Sequence, residues 1–296
     1  MNKKYRKHRV KRLLALLLCM GYFFLQTMPV KAQQIHRLIQ TTTDDEMWNS
    51  YVNLGMTRTY IDEEDTLEEV QEKVKKSCVR IGVRFYNDNN EIVKMKKTII
   101  TGTGFIINID SNYLYVATNR HTCIDFIGER LKLYPIFIDD ELNEISQNYK
   151  IDGKVLGYTN NSDFGDFAII QIDISNVPYE YKTLFKSVPI NKNKININYG
   201  TIGYFYHIEK NRSCSLKKYS IMKPIKDYYV SWATEKHYLQ ADTNKAIVGD
   251  SGSYCFDNKG NLLGIVTGGY NNKITYILKP NSILEGYKKI VGSELE

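Results

Sequence analysis

The sequence predicts an all-β fold, for two reasons. From residue 78 onward, short apolar stretches rich in β-branched and aromatic residues follow one another, many of them alternating with polar residues. Turn-forming clusters such as Asn87-Asp88-Asn89-Asn90 and Asn258-Lys259-Gly260 separate these stretches, which is typical of antiparallel hairpins. The predicted strands are 79–86, 98–109, 113–118, 131–138, 155–158, 167–172, 195–202, 204–208, 219–222, 228–234, 252–256, 262–267 and 274–278.

Two helices are predicted outside these strands. Thr66 followed by Glu69 forms a capping-box pattern, and it predicts a helix over residues 66–76. An apolar stripe at helical spacing predicts a second helix over residues 281–291, capped by Asn281 or Ser282. Residues 33–77, which precede the first strand, could be a propeptide, a packing arm or a spacer.

The first 32 residues have the pattern of a secretory signal peptide. They carry eight basic residues and no acidic one, an apolar stretch over 13–25, and Val30-Lys31-Ala32 as a cleavage pattern. Since the apolar stretch is shorter than the roughly 20 residues of a membrane span, cleavage after Ala32 is favoured over an uncleaved anchor. We therefore expect a secreted protein, extracellular or at the cell surface, with no membrane association after cleavage.

Charge and cysteine content exclude some functions. Removing the eight leader charges takes the formal net charge from +7 to −1, so the mature chain has no excess of basic residues for binding nucleic acid. Four cysteines follow the leader, and they could form two disulfides or remain free thiols: Cys78, Cys123, Cys214 and Cys255. No Cys/His spacing suggests zinc. We expect neither a metal nor a cofactor.

The most informative segment is Gly249-Asp250-Ser251-Gly252-Ser253. Small residues around Ser251 allow a tight turn, in which the N–H groups of Gly249 and Ser251 could point at one spot. A serine in such a place can act as a nucleophile if a base takes its proton. The alternative interpretation is an ordinary turn between strands.

A base and an acid occur earlier in the chain. His121 follows the strand predicted over 113–118, at a strand–loop junction where catalytic side chains are often presented. Asp166 directly precedes the apolar strand predicted over 167–172, where a carboxylate is costly to bury without a partner. The Nδ1–H of a histidine would be such a partner. Each residue alone could be structural, His121 bonded to a backbone carbonyl and Asp166 in a turn.

Together these segments resemble the trypsin-like (chymotrypsin-fold) serine peptidase family, in its compact secreted bacterial form. Three motifs occur in the family's order, and they cover the catalytic residues: Thr118-Asn119-Arg120-His121, Asp166-Phe167-Ala168-Ile169-Ile170 and Gly249-Asp250-Ser251-Gly252. The resemblance spans residues 78 to 293. Arg120 departs from it, because a small residue usually precedes the histidine. An arginine there must extend to solvent or meet a carboxylate.

The resemblance implies two antiparallel six-stranded β-barrels, a C-terminal helix and an N-terminal extension. The first barrel would span 78–185 and carry His121 and Asp166, and the second would span 186–296 and carry Ser251. Gly249 and Ser251 would form the oxyanion hole, while Lys245, Thr267 and Gly269 would bind substrate. Lys245 would favour an acidic P1 residue, a preference that cleavage of a peptide library measures, although a surface lysine on a loop fits equally well.

The implied protein is a monomeric endopeptidase that acts on polypeptides without a cofactor. In trypsin-like zymogens the aspartate before the serine pairs with a newly cut amino terminus. Arg80-Ile81-Gly82 resembles such a cleavage site, but it lies in a predicted strand. Two alternatives remain: a catalytically inactive surface or binding protein on the same fold, and an esterase. The chain order, with the histidine first, argues against the esterase.

Overall fold

A computed structural model of the chain describes residues 43–93, 99–190, 197–209, 211–222, 231–242, 246–270 and 274–295. The predicted all-β class is confirmed. The strands are β1 (Cys78–Phe85), β2 (Ile99–Ile109), β3 (Tyr113–Thr118), β4 (Leu131–Phe137), β5 (Gly153–Tyr158), β6 (Ala168–Asp173), β7 (Ile202–Ile208), β8 (Cys214–Ser220), β9 (Tyr238–Ala241), β10 (Tyr254–Phe256), β11 (Leu262–Tyr270) and β12 (Ile274–Leu278). The helices are α1 (Asp44–Asn53), α2 (Leu67–Lys75), α3 (Asp140–Asn148), α4 (Tyr179–Lys182) and α5 (Pro280–Val291).

The first six strands form a closed barrel in the order β1-β2-β3-β6-β5-β4. All of the pairings are antiparallel, and β1 is paired along its length with β2 on one side and β4 on the other. The barrel is filled by aliphatic side chains that the strands direct inward, such as Val79, Val116 and Ile170. Closure leaves no free strand edge on this side of the molecule.

The last six strands form a sheet in the order β8-β7-β10-β11-β12-β9. This differs from the second closed barrel that the resemblance implied. Its two edge strands meet just beyond β8, where Ile221 and Ala241 form an isolated bridge and the Met222 N–H donates to the Gln240 carbonyl at 2.8 Å. The sheet therefore curls into a partly open barrel rather than a fully hydrogen-bonded one.

Several predicted elements are misplaced. The strand predicted over 195–202 lies partly outside the described residues, and residues 197–201 have no strand. The strand predicted over 228–234 also lies partly outside them, and residues 231–234 form a turn and an irregular segment. The strand predicted over 219–222 is β8, which begins earlier. The sequence analysis missed α3, which Asp139 caps by accepting from the Leu142 N–H at 3.0 Å, and it missed β9.

Both predicted helices form. At α2 the hydroxyl of Thr66 accepts from the Glu69 N–H and the Glu69 carboxylate accepts from the Thr66 N–H, which is the capping box expected from the sequence. The predicted caps of the C-terminal helix are wrong, because α5 begins at Pro280, with Lys279 as the N-cap. Proline suits this first helical position, since its missing N–H would have no partner within the helix.

Residues Trp48–Glu296 form one compact unit, and Met1–Met47 form another, of which only the last five residues are described. Within the larger unit, the segment before β1 is buried against the strands. Trp48 packs into the first barrel and donates from Nε1 to the Ser111 carbonyl at 2.7 Å. Val70 and Val74 of α2 are fully buried against the sheet residues Tyr206 and Phe256. Residues 48–77 therefore contribute Trp48, Val70 and Val74 to the hydrophobic core.

The four cysteines that follow the leader are free thiols in the structure, with Cys78, Cys123 and Cys255 buried and Cys214 half-buried. None of the helices in the described part of the chain combines the length and apolarity needed to cross a membrane.

We predict that removing residues before Cys78 prevents stable folding. The deletion would remove Trp48, Val70 and Val74 and expose the apolar surface that they cover in both halves of the core, a loss comparable with the usual margin of stability. Comparing chains 43–296 and 78–296 by circular dichroism and thermal unfolding tests this. A chain 78–296 that unfolds cooperatively at the same temperature would show that the segment is dispensable.

Candidate active site

His121 lies in a single 3₁₀ turn, Arg120–Thr122, directly after β3. Hydrogen bonds fix this turn from beneath: Thr122 Oγ1 donates to the Asn119 carbonyl at 2.7 Å, and Thr118 Oγ1 donates to the Thr103 carbonyl at 2.7 Å. Thr118 and Thr122 are buried, whereas the side chain of His121 is half exposed. Buried, hydrogen-bonded threonines thus support the turn, and the imidazole of His121 is accessible to solvent, as a general base must be.

Asp166, just before β6, holds His121 at two points. One carboxylate oxygen lies in hydrogen-bond contact with His121 Nδ1, and the other accepts from the His121 backbone N–H at 3.0 Å. Asp166 is itself fixed by its backbone, since its N–H donates to the Tyr238 hydroxyl at 2.8 Å and its carbonyl accepts from Asn119 Nδ2 at 2.9 Å. With Nδ1 bonded to a carboxylate, Nε2 of the ring is the nitrogen available as a base.

Ser251 lies in the loop before β10, residues 246–253, which we call the serine loop. This loop packs against β2. The Thr103 N–H donates to the Ser251 carbonyl at 2.9 Å, and Thr103 Oγ1 donates to the Gly249 carbonyl at 2.7 Å. Gly252, with φ of +94°, lies so close that a Cβ there would be 1.8 Å from the Thr103 carbonyl oxygen. Glycine at 252 is therefore required both by φ and by the close approach of the two backbones.

The hydroxyl of Ser251 donates to the Thr267 carbonyl at 3.1 Å. Asn119 connects this contact to the histidine side of the site, because its Nδ2 lies 3.3 Å from Thr267 Oγ1 and also bonds the Asp166 carbonyl. Among the described residues, no hydrogen bond joins the Ser251 hydroxyl and the His121 ring. Thr267 and Asn119 thus connect the serine loop to the His121–Asp166 pair.

Within the described residues, the N–H groups of Gly249 and Ser251 have no hydrogen-bond acceptor, and neither does that of the fully exposed Val248. The N–H groups of Asp250, Gly252 and Ser253, in contrast, donate to the carbonyls of Ile247, Val266 and Asp250 at 2.8–3.0 Å. Gly249 has φ of +103°, a conformation that favours glycine. The loop therefore leaves free the two donors that the sequence analysis assigned to an oxyanion hole.

The predicted substrate-binding residues are only partly described. Lys245 lies outside the described residues. Thr267 is buried in β11, at the irregularity between Val266 and Gly268 in the pairing with β12, and its carbonyl is the one that bonds Ser251. Gly269 is exposed further along the same strand, opposite Thr275.

Arg120, expected to reach solvent or a carboxylate, instead places its guanidinium 5.1 Å from the centre of the Tyr158 ring. This cation–π contact was missed because Tyr158 comes from a strand remote in sequence.

No group of three or more His, Cys, Asp or Glu side chains suited to a metal ion occurs in the described ranges. Cys123 lies two residues after the histidine, but burial, with a smaller contribution from Asp166, raises its pKa to about 12. Its thiol therefore stays protonated and unreactive near neutral pH.

The sequence analysis missed the residues that hold the site together, namely Thr103, Asn119 and Tyr238. Thr118-Asn119 was noted only as part of the histidine motif. Nothing local marks Thr103 or Tyr238, since each acts through a partner more than 70 residues away. A signal for such contacts would need knowledge of which strands become neighbours.

The closed barrel carrying His121 and Asp166, with the curled sheet carrying Ser251, has the chymotrypsin-like fold that the resemblance predicted, except that the second barrel is partly open. An HtrA-type protease, AlgW with a decapeptide, has a TM-score of 0.53 and 14% sequence identity to this chain, with 77% of this chain and 68% of that one covered. This likeness shows the shared fold.

Two other solved structures also match. A serine endoprotease from Yersinia pestis is 18% identical, with a TM-score of 0.49 over 78% of this chain and 69% of the other. An inactive serine-to-alanine mutant of a protein from M. tuberculosis H37Rv is 16% identical, with a TM-score of 0.49 over 80% of this chain and 97% of the other. No protein-family model matches the chain, and no curated protein sequence matches it.

We predict that Tyr238→Phe loosens the His121–Asp166 pair. The substitution leaves the Asp166 N–H without its acceptor and Asn161 Oδ1 without its donor, and such losses cost about 1–3 kcal/mol of unfolding free energy. Urea unfolding measures the stability, and the proton NMR signal of His121 Nδ1–H reports on the pair. Tyr287→Phe, which removes a hydroxyl bonded to Asn108, is the control and should leave that signal in place. An unchanged signal in the Tyr238 variant would contradict the predicted positioning.

Proposed function

We propose that the protein is a secreted, trypsin-like serine endopeptidase that hydrolyses peptide bonds through Ser251, His121 and Asp166. The observation that carries this proposal is the pair of unbonded N–H groups at Gly249 and Ser251, next to a serine and near an aspartate-bound histidine. These two N–H groups lie on either side of Asp250, whose own N–H donates to the Ile247 carbonyl, and both remain available to an oxyanion.

In the proposed reaction, the Ser251 hydroxyl exchanges its Thr267 acceptor for His121 Nε2 and attacks the carbonyl carbon of the scissile peptide bond. His121 takes the hydroxyl proton, so an imidazolium forms beside the Asp166 carboxylate, which stabilises it. The carbonyl oxygen becomes an oxyanion and accepts from the N–H groups of Gly249 and Ser251. Collapse of this intermediate breaks the C–N bond, and the imidazolium gives its proton to the leaving amine.

The remaining ester joins the acyl part of the substrate to Ser251 Oγ. A water molecule then gives a proton to His121 Nε2 and attacks the ester carbon, passing through a second oxyanion in the same place. Return of the proton to Ser251 Oγ releases the carboxylic acid. Half exposure of the His121 side chain suits this step, because the ring must be reached by water as well as by substrate.

The substrate is proposed to be an extended polypeptide that lies along the exposed part of β11, where Gly269 leaves room for main-chain contacts. An acidic P1 residue is proposed from Lys245 on charge complementarity. Secretion is proposed from the leader, and N-terminal sequencing of the exported protein tests cleavage after Ala32. We propose a monomer without a cofactor.

We predict that Ser251→Ala and His121→Ala each abolish peptide hydrolysis, with losses in kcat on the order of a millionfold, because nucleophile and base act as a unit. Labelling with a fluorophosphonate, which reacts with activated serines, should be lost in both variants while circular dichroism is unchanged. Ser253→Ala is the matched control, a serine of the same loop whose hydroxyl donates to the Tyr206 carbonyl at 3.2 Å. It should keep its labelling.

The same experiment distinguishes the peptidase from the alternative of an inactive binding protein on this fold. A natively folded wild-type chain that neither hydrolyses peptides nor reacts at Ser251 would favour the binding protein. The hydrogen bond from the Ser251 hydroxyl to Thr267, rather than to His121, is the feature of the site that this alternative would explain. Full hydrolysis by the Ser251→Ala variant would reject the assigned nucleophile.

A further inference from the structure

Asp250, the residue before the proposed nucleophile, is completely buried, and both of its carboxylate oxygens have hydrogen-bond partners. Oδ1 lies 2.5 Å from His207 Nδ1, and Oδ2 accepts from the Ile247 N–H at 2.8 Å. A buried carboxylate without such partners would be strongly destabilising. These two contacts fix both ends of the segment that contains Gly249, since Ile247 precedes it and Asp250 follows it.

His207, on β7, is itself buried and lies between two carboxylates. Its Nδ1 faces Asp250, and its Nε2 lies 2.9 Å from Glu209 Oε1. A neutral imidazole can donate from only one nitrogen, whereas the imidazolium donates from both. Both ring nitrogens of His207 face a carboxylate oxygen, and the Asp250 carboxylate has the imidazole as its partner inside the protein. Asp250 is completely buried, while Glu209 is more than half exposed and can also be solvated by water.

Arg80 of β1 is a basic side chain close to the same carboxylates. It is buried, its Nη1 donates to the Ile208 carbonyl at 2.5 Å, and a Cβ on Gly249 would be 3.0 Å from the same nitrogen. Burial lowers the pKa of Arg80, and the nearby carboxylates of Asp250 and Glu209 raise it. Arg80 thus adds positive charge behind the loop, but the direct partner of Asp250 is His207.

The same contacts bear on activation by cleavage before Ile81. Arg80 and Ile81 are central residues of β1, paired with β2 on one side and β4 on the other. A cut before Ile81 would divide β1 where both Arg80 and Ile81 are paired with β2 and with β4. The Asp250 oxygens that such a terminus would need already have partners.

We propose that His207 is a positioning residue which, through Asp250, holds the Gly249 and Ser251 N–H groups in the conformation that binds an oxyanion, so that the intact chain is competent without a cut before Ile81. This inference rests on the proposed function for its catalytic consequence. Its structural part, the dependence of the loop on the His207–Asp250 contact, does not.

We predict that His207→Gln lowers kcat by about 10- to 100-fold and leaves KM within about threefold. Loss of a single oxyanion donor costs about 100- to 1,000-fold in kcat, and a loop that is mobile but not destroyed should cost less. Amide hydrogen exchange measured by mass spectrometry should show faster exchange in peptides covering residues 247–253, with β11 and β12 unchanged. His237→Gln is the control, a histidine equally buried and bonded to Ser282.

Asp250→Asn is a second variant that keeps the shape of the side chain and removes its charge, in case His207→Gln unfolds. It should also accelerate exchange at residues 247–253, and combining it with His207→Gln should cost little more than either change alone, because both remove one interaction. The mass of the fluorophosphonate-labelled wild-type protein should be that of a chain that is uncut between residues 80 and 81.

The outcomes separate this inference from the proposed function. A wild-type chain that is never labelled, together with faster exchange at 247–253 in both variants, would reject the peptidase and retain the positioning role. Normal kcat and normal exchange in both variants would reject the positioning role while the peptidase stands. Labelling confined to chains that begin at Ile81 would reject competence without cleavage.

Discussion

The close backbone contact between β2 and the serine loop determines where every part of the candidate site can lie. Thr103 bonds the carbonyls of Ser251 and Gly249, while Gly252 lies directly against the Thr103 carbonyl. On the other side, a Cβ on Gly102 would be 2.7 Å from Thr122 and 3.0 Å from the Ser251 carbonyl oxygen. Since Thr122 belongs to the turn of His121, the two glycines allow the histidine turn and the serine loop to touch the same strand.

The region contains two aspartate–histidine contacts. The different exposure of the two histidine side chains indicates different roles. His121 is half exposed beside Asp166, whereas His207 is almost completely buried beside Asp250. An imidazole that exchanges protons with substrate must be reachable, which favours His121 over His207 as the proposed base. A buried pair contributes instead by holding backbone in place, at a desolvation cost that is offset only when both partners are present.

The sequence indicated the candidate side chains of the site, but not the residues that hold them in place. Ser251, His121 and Asp166 lie in short segments whose local chemistry can be recognised, and α2 has a capping box contained within four residues. The partners Tyr238 and Thr103 come from other strands, so their roles depend on tertiary contacts. Strand boundaries after residue 190 were predicted less well, because β8 has mostly polar residues and its half-exposed face gives a weak apolar pattern.

The segment before β1 is connected to the serine loop through β10, the strand that directly follows this loop. The Tyr254 ring packs 4.8 Å from that of Phe105 in β2, and its hydroxyl lies within hydrogen-bond distance of the carbonyls of Pro189 and Gly260. A Cβ on Gly260 would in turn be 3.3 Å from Val70 of α2. Because β10 packs between α2 and β2, displacing α2 would let β10 shift. We expect the serine loop then to lose its alignment with Thr103, so that α2 supports the site as well as the fold.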